Sequence, residues 1–96
     1  MLARVTTFEN GTADGIRAAV QQLQSEIPQG PPPGVKSNGL TMLVDPDRGR
    51  VMFIGLFASE EDLRASESAL EEMSTPEGMG KRSSVAVYQV GADVRI

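Results

Sequence analysis

The segment from Arg50 to Phe57, RVMFIGLF, constrains the fold most strongly. Its last seven residues are uncharged, and six of them are large and apolar. A short apolar run rich in aromatic and β-branched residues is typical of a strand. Side chains alternate between the two faces of a strand, so both faces of this one are apolar. The segment therefore predicts a sheet that must be covered on both sides.

The surrounding pattern predicts four strands and two helices in the order β-α-β-β-α-β. The predicted strands span residues 2–8, 40–44, 51–57 and 84–90. Asp45 to Gly49, DPDRG, has the composition of a turn and joins the second and third strands into a hairpin. This order is typical of a ferredoxin-like α+β subunit, with a four-stranded antiparallel sheet and both helices on one face.

The two helices are predicted from their caps and from apolar residues at helical spacing. Thr12 or Asp14 caps the first helix, and Pro28 ends it. Ser59 and Asp62 form a capping box at the start of the second. The inward-facing residues are predicted to be Ile16, Ala19, Val20, Leu23 and Ile27 in the first helix, and Leu63, Ser66, Ala69, Leu70 and Met73 in the second. Residues 29–34, with three prolines, form a stiff connector.

Two helices on one side leave the other side of the sheet without cover. In the third strand, one face carries Val51, Phe53, Gly55 and Phe57, and the other carries Met52, Ile54 and Leu56. Monomers rarely expose an apolar patch of this size. We expect a second copy of the chain to cover it, sheet against sheet with two-fold symmetry. A monomer that covers the face with a bound ligand is the alternative.

Composition narrows the classes of function. The 96 residues form one domain, 1–96, with no cysteine and no histidine, which removes disulfide and thiolate chemistry. A net charge of −4 repels phosphate backbones and anionic lipid, so we expect neither nucleic acid nor membrane as a partner. No signal-peptide pattern or apolar span is present, and we expect a cytoplasmic protein. We expect no metal or cofactor.

The segment from Gly55 to Glu67, GLFASEEDLRASE, resembles the antibiotic-biosynthesis-monooxygenase-like family of the dimeric α+β barrel superfamily. The likeness lies in an aromatic residue at the end of the third strand, followed by Ser-Glu-Glu-Asp-Leu-Arg-Ala at the start of the second helix. The element order is similar over essentially the whole chain. The resemblance implies a homodimer in which two sheets face each other as a barrel, with a small cavity between helices and sheet in each subunit.

The same resemblance implies that some relatives oxidise aromatic polyketides without metal or flavin, and that others degrade haem. This chain departs from those catalytic members. Phe57 stands where they have a tryptophan at the end of the third strand, and the chain has no histidine to ligate haem or act as a base. No residue of the motif carries monooxygenase chemistry into this sequence.

The aromatic residues and Gly55 are the candidate ligand-binding residues. These five are Phe8, Phe53, Gly55, Phe57 and Tyr88. They could line a pocket for a small hydrophobic metabolite, although packing in the core or an interface explains the aromatic rings as well. A glycine inside a strand indicates either a packing requirement or space for a ligand.

Three residues are weak catalytic candidates for a cofactor-independent oxygenase acting on an aromatic substrate. Tyr88 offers a hydroxyl, Arg64 could stabilise an enolate, and Asn10 could donate a hydrogen bond to a carbonyl. Arg4 could act as Arg64 does, but an ion pair is favoured for both arginines, and a turn explains Asn10. Three hypotheses stay open: a homodimer that binds a hydrophobic metabolite, the oxygenase, and a non-enzymatic protein-interaction module.

Overall fold

The computed structural model of the protein describes residues 1–26, 34–72 and 78–94. Four strands and two helices follow the predicted order. Their bounds are β1 Leu2–Glu9, α1 Ala13–Glu26, β2 Gly39–Asp45, β3 Arg50–Phe57, α2 Glu60–Glu72 and β4 Lys81–Gln89. The predicted helix end at Pro28, the proline run and the predicted helix residue Met73 lie outside the described residues.

The strands form one antiparallel sheet in the order β2-β3-β1-β4. In the central pair, Leu2 lies opposite Phe57 and Phe8 lies opposite Val51. The two strands of the hairpin, β2 and β3, are neighbours. Each helix instead connects two strands that have one other strand between them in the sheet. The ferredoxin-like α+β fold predicted from the sequence is therefore confirmed.

The helix N-termini are held by the hydroxyl groups of capping residues. The Thr12 Oγ1 accepts a hydrogen bond from the Gly15 N–H at 3.0 Å, and the Ser59 Oγ accepts one from the Asp62 N–H at 3.2 Å. Each bond satisfies a backbone donor that the helix itself leaves unpaired. Of the two caps that the sequence allowed for α1, the structure uses Thr12.

β4 begins at Lys81, three residues before the predicted start at Ser84. Lys81 lies opposite Glu9, and Arg82 lies opposite Phe8, beyond a bulge in the pairing. The polar sequence Lys-Arg-Ser-Ser shows no alternation, so the pattern gave no indication of a strand. Pairing with β1 provides its backbone hydrogen bonds, and charged residues are well tolerated on an edge strand.

One cluster of the hydrophobic core lies between the sheet and α1. Phe8 and Val51 from the sheet pack with Ile16 and Ala19 from α1, and Met79 from the loop before β4 completes the cluster. Phe53 packs against it, and its ring meets that of Phe8 edge to face, with centroids 5.8 Å apart. Aromatic rings favour this arrangement. The sequence around Met79 does not predict its burial, because this residue lies in a loop between two glycines.

Candidate functional site

One face of the sheet lies away from both helices, and we call it the open face. Phe8 and Val51 meet α1 on the opposite side, and Arg4 contacts Glu71 of α2 on that same side. The residues that alternate with these point the other way. They are Ala3, Val5 and Thr7 in β1, Thr41 and Leu43 in β2, Met52, Ile54 and Leu56 in β3, and Ser84, Ala86 and Tyr88 in β4.

The open face is uncharged across its centre and partly exposed to solvent. Leu43 and Tyr88 are exposed by 50% and 59%, and the apolar residues Met52, Ile54 and Leu56 of β3 are half-buried. A contiguous apolar surface, unlike apolar residues that are exposed singly, marks a site of association. The face therefore is the strongest candidate functional surface among the described residues.

Charged side chains lie only at the hairpin end of this face. Glu9, Asp45 and Arg50 lie two residues from Thr7, Leu43 and Met52, respectively, and Lys81 lies opposite Glu9. Arg48 and Arg50 donate hydrogen bonds to the Asp45 Oδ2 at 3.1 and 3.3 Å. The hydrogen bond from Arg48 is the largest cause that lowers the pKa of Asp45 below its ordinary value, and Arg50 adds to it. Asp45 is therefore an ionised acceptor at neutral pH.

A depression of about 270 Å³ lies at this end of the open face. We call it the hairpin-end depression. It is lined by Thr7, Leu43, Val44, Val51 and Met52, together with the charged residues Glu9, Asp45 and Arg50. An apolar floor beside a charged rim suits a group with an apolar body and a polar tip.

The structure does not bring the five predicted ligand-binding residues into one pocket. Phe8, Phe53, Gly55 and Phe57 lie on the helix side of the sheet, and Tyr88 lies on the open face. Phe57 is 1% exposed. A Cβ added to Gly55 would lie 3.3 Å from the Phe57 ring, so Gly55 makes room for that ring. This contact favours packing over ligand space at Gly55, and ligand binding by the five residues stays a prediction.

The three weak catalytic candidates are also separated. Arg64 lies on the exposed surface of α2 and pairs with Glu60, whereas Tyr88 lies on the other side of the sheet. Asn10 follows β1 with a φ of 66°, and Tyr88 lies opposite Ala3 near the start of β1. At ~3.3 Å per residue, Tyr88 and Asn10 are roughly 20 Å apart. No single small substrate reaches all three.

Arg4 is buried between the sheet and α2, where it forms the predicted ion pair. Its guanidinium donates to the Thr6 Oγ1 at 3.1 Å and to the Glu71 Oε1 at 3.2 Å. Arg82 also donates to Glu71, at 3.1 Å. Two guanidinium groups share one carboxylate, which links β1 and β4 to α2. Arg4 is only 9% exposed, and its position indicates a structural role.

Comparisons of the chain with protein families, with curated proteins and with solved structures found no match. The resemblance to the antibiotic-biosynthesis-monooxygenase-like family therefore stays a prediction, while the fold class stands on the structure. Within residues 1–26, 34–72 and 78–94, no helix is both long and apolar enough to cross a membrane. The same residues contain no group of three potential metal-ligating side chains.

Proposed function

We propose that the protein is a homodimeric α+β barrel subunit whose two copies pair through their open faces. The observation that carries this proposal is the uncharged, largely apolar centre of the open face, which lies on the side of the sheet away from both helices. Leu43 and Tyr88 are at least half exposed there. Removing such a surface from water favours association.

The area of the open face is sufficient for a specific interface. Strands of 7–9 residues, spaced ~4.8 Å apart with ~3.3 Å per residue, give a footprint of roughly 500 Å² per copy. Two copies then bury roughly 1,000 Å² or more, which reaches the lower range of specific interfaces. The apolar part of this area favours association by ~25 cal/mol per Å², against an association cost of about 4–15 kcal/mol.

A second copy fits the open face better than a small ligand or a charged partner does. A footprint of roughly 500 Å² exceeds what one small metabolite covers. A two-fold interface places the same patch on both sides, so like charges at its centre would repel. The centre of this face has no charged residue, and the charges at its hairpin end, Glu9, Asp45, Arg50 and Lys81, include both signs.

Two leucines of β2 provide a matched test. Leu43 lies on the open face, and Leu40, opposite Gly55, lies on the helix side. Their exposed fractions are nearly equal, 50% and 48%. We expect Leu43→Glu to shift the wild-type dimer toward monomer in sedimentation equilibrium, because it places a carboxylate in the apolar contact. Leu40→Glu should leave the dimer intact.

The proposal fails if the wild-type chain sediments as a monomer at tens of micromolar. It also fails if Leu40→Glu and Leu43→Glu dissociate the dimer equally. Native mass spectrometry of the purified protein reports the stoichiometry and any retained small molecule together. A mass equal to one chain plus a different protein would instead support an interaction module.

Binding of a small hydrophobic metabolite stays a second, untested part of the same proposal. Its support is the aromatic pair Phe8 and Phe53 on the helix side, whose ring centroids are 5.8 Å apart. A retained hydrophobic molecule in the native mass spectrum would support it. No observation favours the oxygenase, since Tyr88, Arg64 and Asn10 lie in separate parts of the molecule.

A further inference from the structure

We infer that each copy inserts Tyr88 into the hairpin-end depression of the other copy. This inference rests on the proposed homodimer and adds the residue and the site that orient it. Each depression is completed only by a side chain from the partner, so the assembly contains two identical sites.

Tyr88 is an exposed aromatic residue at one edge of the open face. Of the chain's one tyrosine and three phenylalanines, all within the described residues, Tyr88 alone is exposed, at 59%. It lies opposite Ala3 and two residues from Ala86, on the edge strand β4. Both neighbours are small, and more than half of the Tyr88 surface stays exposed. An aromatic ring that projects in this way is a common anchor residue in protein interfaces.

The hairpin-end depression matches a tyrosine side chain in size and chemistry. A cavity of about 150 Å³ can hold one benzene ring, so the volume of about 270 Å³ has room for a phenol ring and its hydroxyl. The depression is lined on its floor by Thr7, Leu43 and Met52. Met52 brings a thioether, which makes favourable contacts with aromatic rings.

The rim of the depression offers an acceptor for the tyrosine hydroxyl. An ionised carboxylate has about four acceptor positions, and Asp45 uses two of them for hydrogen bonds from Arg48 and Arg50. The two arginines keep Asp45 ionised by lowering its pKa. The hydroxyl of the partner's Tyr88 can therefore donate to Asp45 while its ring lies on the apolar floor.

The positions of the two features on the sheet agree with a two-fold axis. A two-fold axis that lies between the two sheets and crosses the middle of the face relates points on the two copies. Each point of one copy then meets a point of the other copy at the same distance from that middle. From strand spacings of ~4.8 Å and ~3.3 Å per residue, both Tyr88 and the depression lie roughly 10 Å from the midpoint between Val5 and Ile54. When Tyr88 of one copy is placed over the depression of the other, the strands of the two sheets cross at roughly 60–75°. This angle is nearer the orthogonal class of sheet packing than the aligned class.

Disulfide trapping tests this arrangement cleanly, because the chain has no native cysteine. In the Tyr88→Cys and Leu43→Cys double variant, the two cysteines of one chain are roughly 20 Å apart, too far for an internal bridge. We expect rapid formation of a covalent dimer under mild oxidation, seen by non-reducing electrophoresis. The matched control pairs Tyr88→Cys with Thr41→Cys, which lies on the same strand and face two residues from Leu43; it should cross-link much more slowly.

Equilibrium measurements provide a second readout. We expect Tyr88→Ala to raise the dimer dissociation constant roughly 30-fold or more, as for other interface anchors. Tyr88→Phe keeps the aromatic ring and should raise the dimer dissociation constant much less. Val87→Ala, which changes a 46% exposed residue on the helix side of β4, should leave the constant unchanged.

The outcomes distinguish this inference from the proposed dimer. The insertion is overturned, while the dimer stands, if two results are found together. Tyr88→Ala leaves the dimer dissociation constant unchanged, and cross-linking through Thr41→Cys is as fast as through Leu43→Cys. A monomeric wild-type chain overturns both. Preferential cross-linking through Leu43→Cys, together with weakened association of Tyr88→Ala, supports the insertion.

Discussion

Replacing Gly15 with alanine should destabilise the protein, although alanine is the better helix former. Gly15 lies in the first turn of α1, directly against the backbone of Gly78. A Cβ at position 15 would lie 2.5 Å from the Gly78 Cα and 2.8 Å from its carbonyl oxygen. Carbon atoms in favourable contact are about 3.5–4.0 Å apart, so the two backbone segments must separate by about 1 Å.

Two opposing effects decide the sign of the change. In an unobstructed helix, Gly→Ala stabilises by about 1 kcal/mol. Overpacking costs about 1–3 kcal/mol, and the separation also strains the hydrogen bond from the Thr12 N–H to the Gly78 carbonyl, at 2.7 Å, which is worth about 1 kcal/mol. We therefore expect a net loss of about 1–2 kcal/mol in the free energy of unfolding.

Urea denaturation followed by far-UV circular dichroism measures this loss. With a slope of about 1–3 kcal/mol per M, the midpoint of unfolding should fall by roughly 0.3–2 M. Protein concentration must be equal for all variants, since association stabilises the folded state. Gly91→Ala is a control at a glycine without steric obstruction, because a Cβ there meets nothing within 4 Å. Ala18→Gly measures the ordinary difference in helix propensity between alanine and glycine within α1. If Gly15→Ala raises the midpoint, the close contact has been misjudged.

Three further predictions concern polar groups. Ser66→Ala should lower the free energy of unfolding by about 1–3 kcal/mol in urea denaturation, because the hydroxyl of this fully buried residue accepts a hydrogen bond from a backbone N–H at 2.7 Å. Ser68→Ala, at an exposed position, should leave the free energy of unfolding nearly unchanged. Glu71→Ala should destabilise more than Arg4→Met, because only the former leaves a buried guanidinium without its carboxylate; the reverse order would contradict this. Asp45 has a lowered pKa, so its stabilisation is present above pH 3.8 and lost as the pH falls further. Asp45→Asn should therefore flatten the dependence of stability on pH in that acidic range, as thermal unfolding in a pH series would show.

The sequence predicts most of the fold because the relevant signals are local. The continuous apolar run identifies β3 within one residue of its observed start, and the serine and threonine caps mark both helix N-termini. The hairpin follows from the turn residues between Asp45 and Gly49, where Gly49 adopts a φ of 67°. These features depend on residues only a few positions apart, so a single sequence is sufficient to recognise them.

The features that the sequence does not predict depend on contacts between distant residues. Met79 enters the core because the loop before β4 approaches α1, where Gly15 and Gly78 allow the two backbones to meet. The early start of β4 depends on its pairing with Phe8 and Glu9. A single methionine between two glycines does not indicate burial, and a polar run does not indicate a strand.

The position of Arg4 connects the interior of the subunit to its open face. Simple alternation in β1 would place Arg4 and Thr6 toward solvent and Val5 toward the core, yet both Arg4 and Thr6 are buried on the helix side. Glu71, 67 residues away in the sequence, makes this orientation favourable by receiving the guanidinium at 3.2 Å. Since the register of a strand fixes all its side chains together, burying Arg4 directs Ala3, Val5 and Thr7 to the other face. The same ion pair that fastens α2 to the sheet thereby removes a charge from the surface proposed for pairing with a second copy.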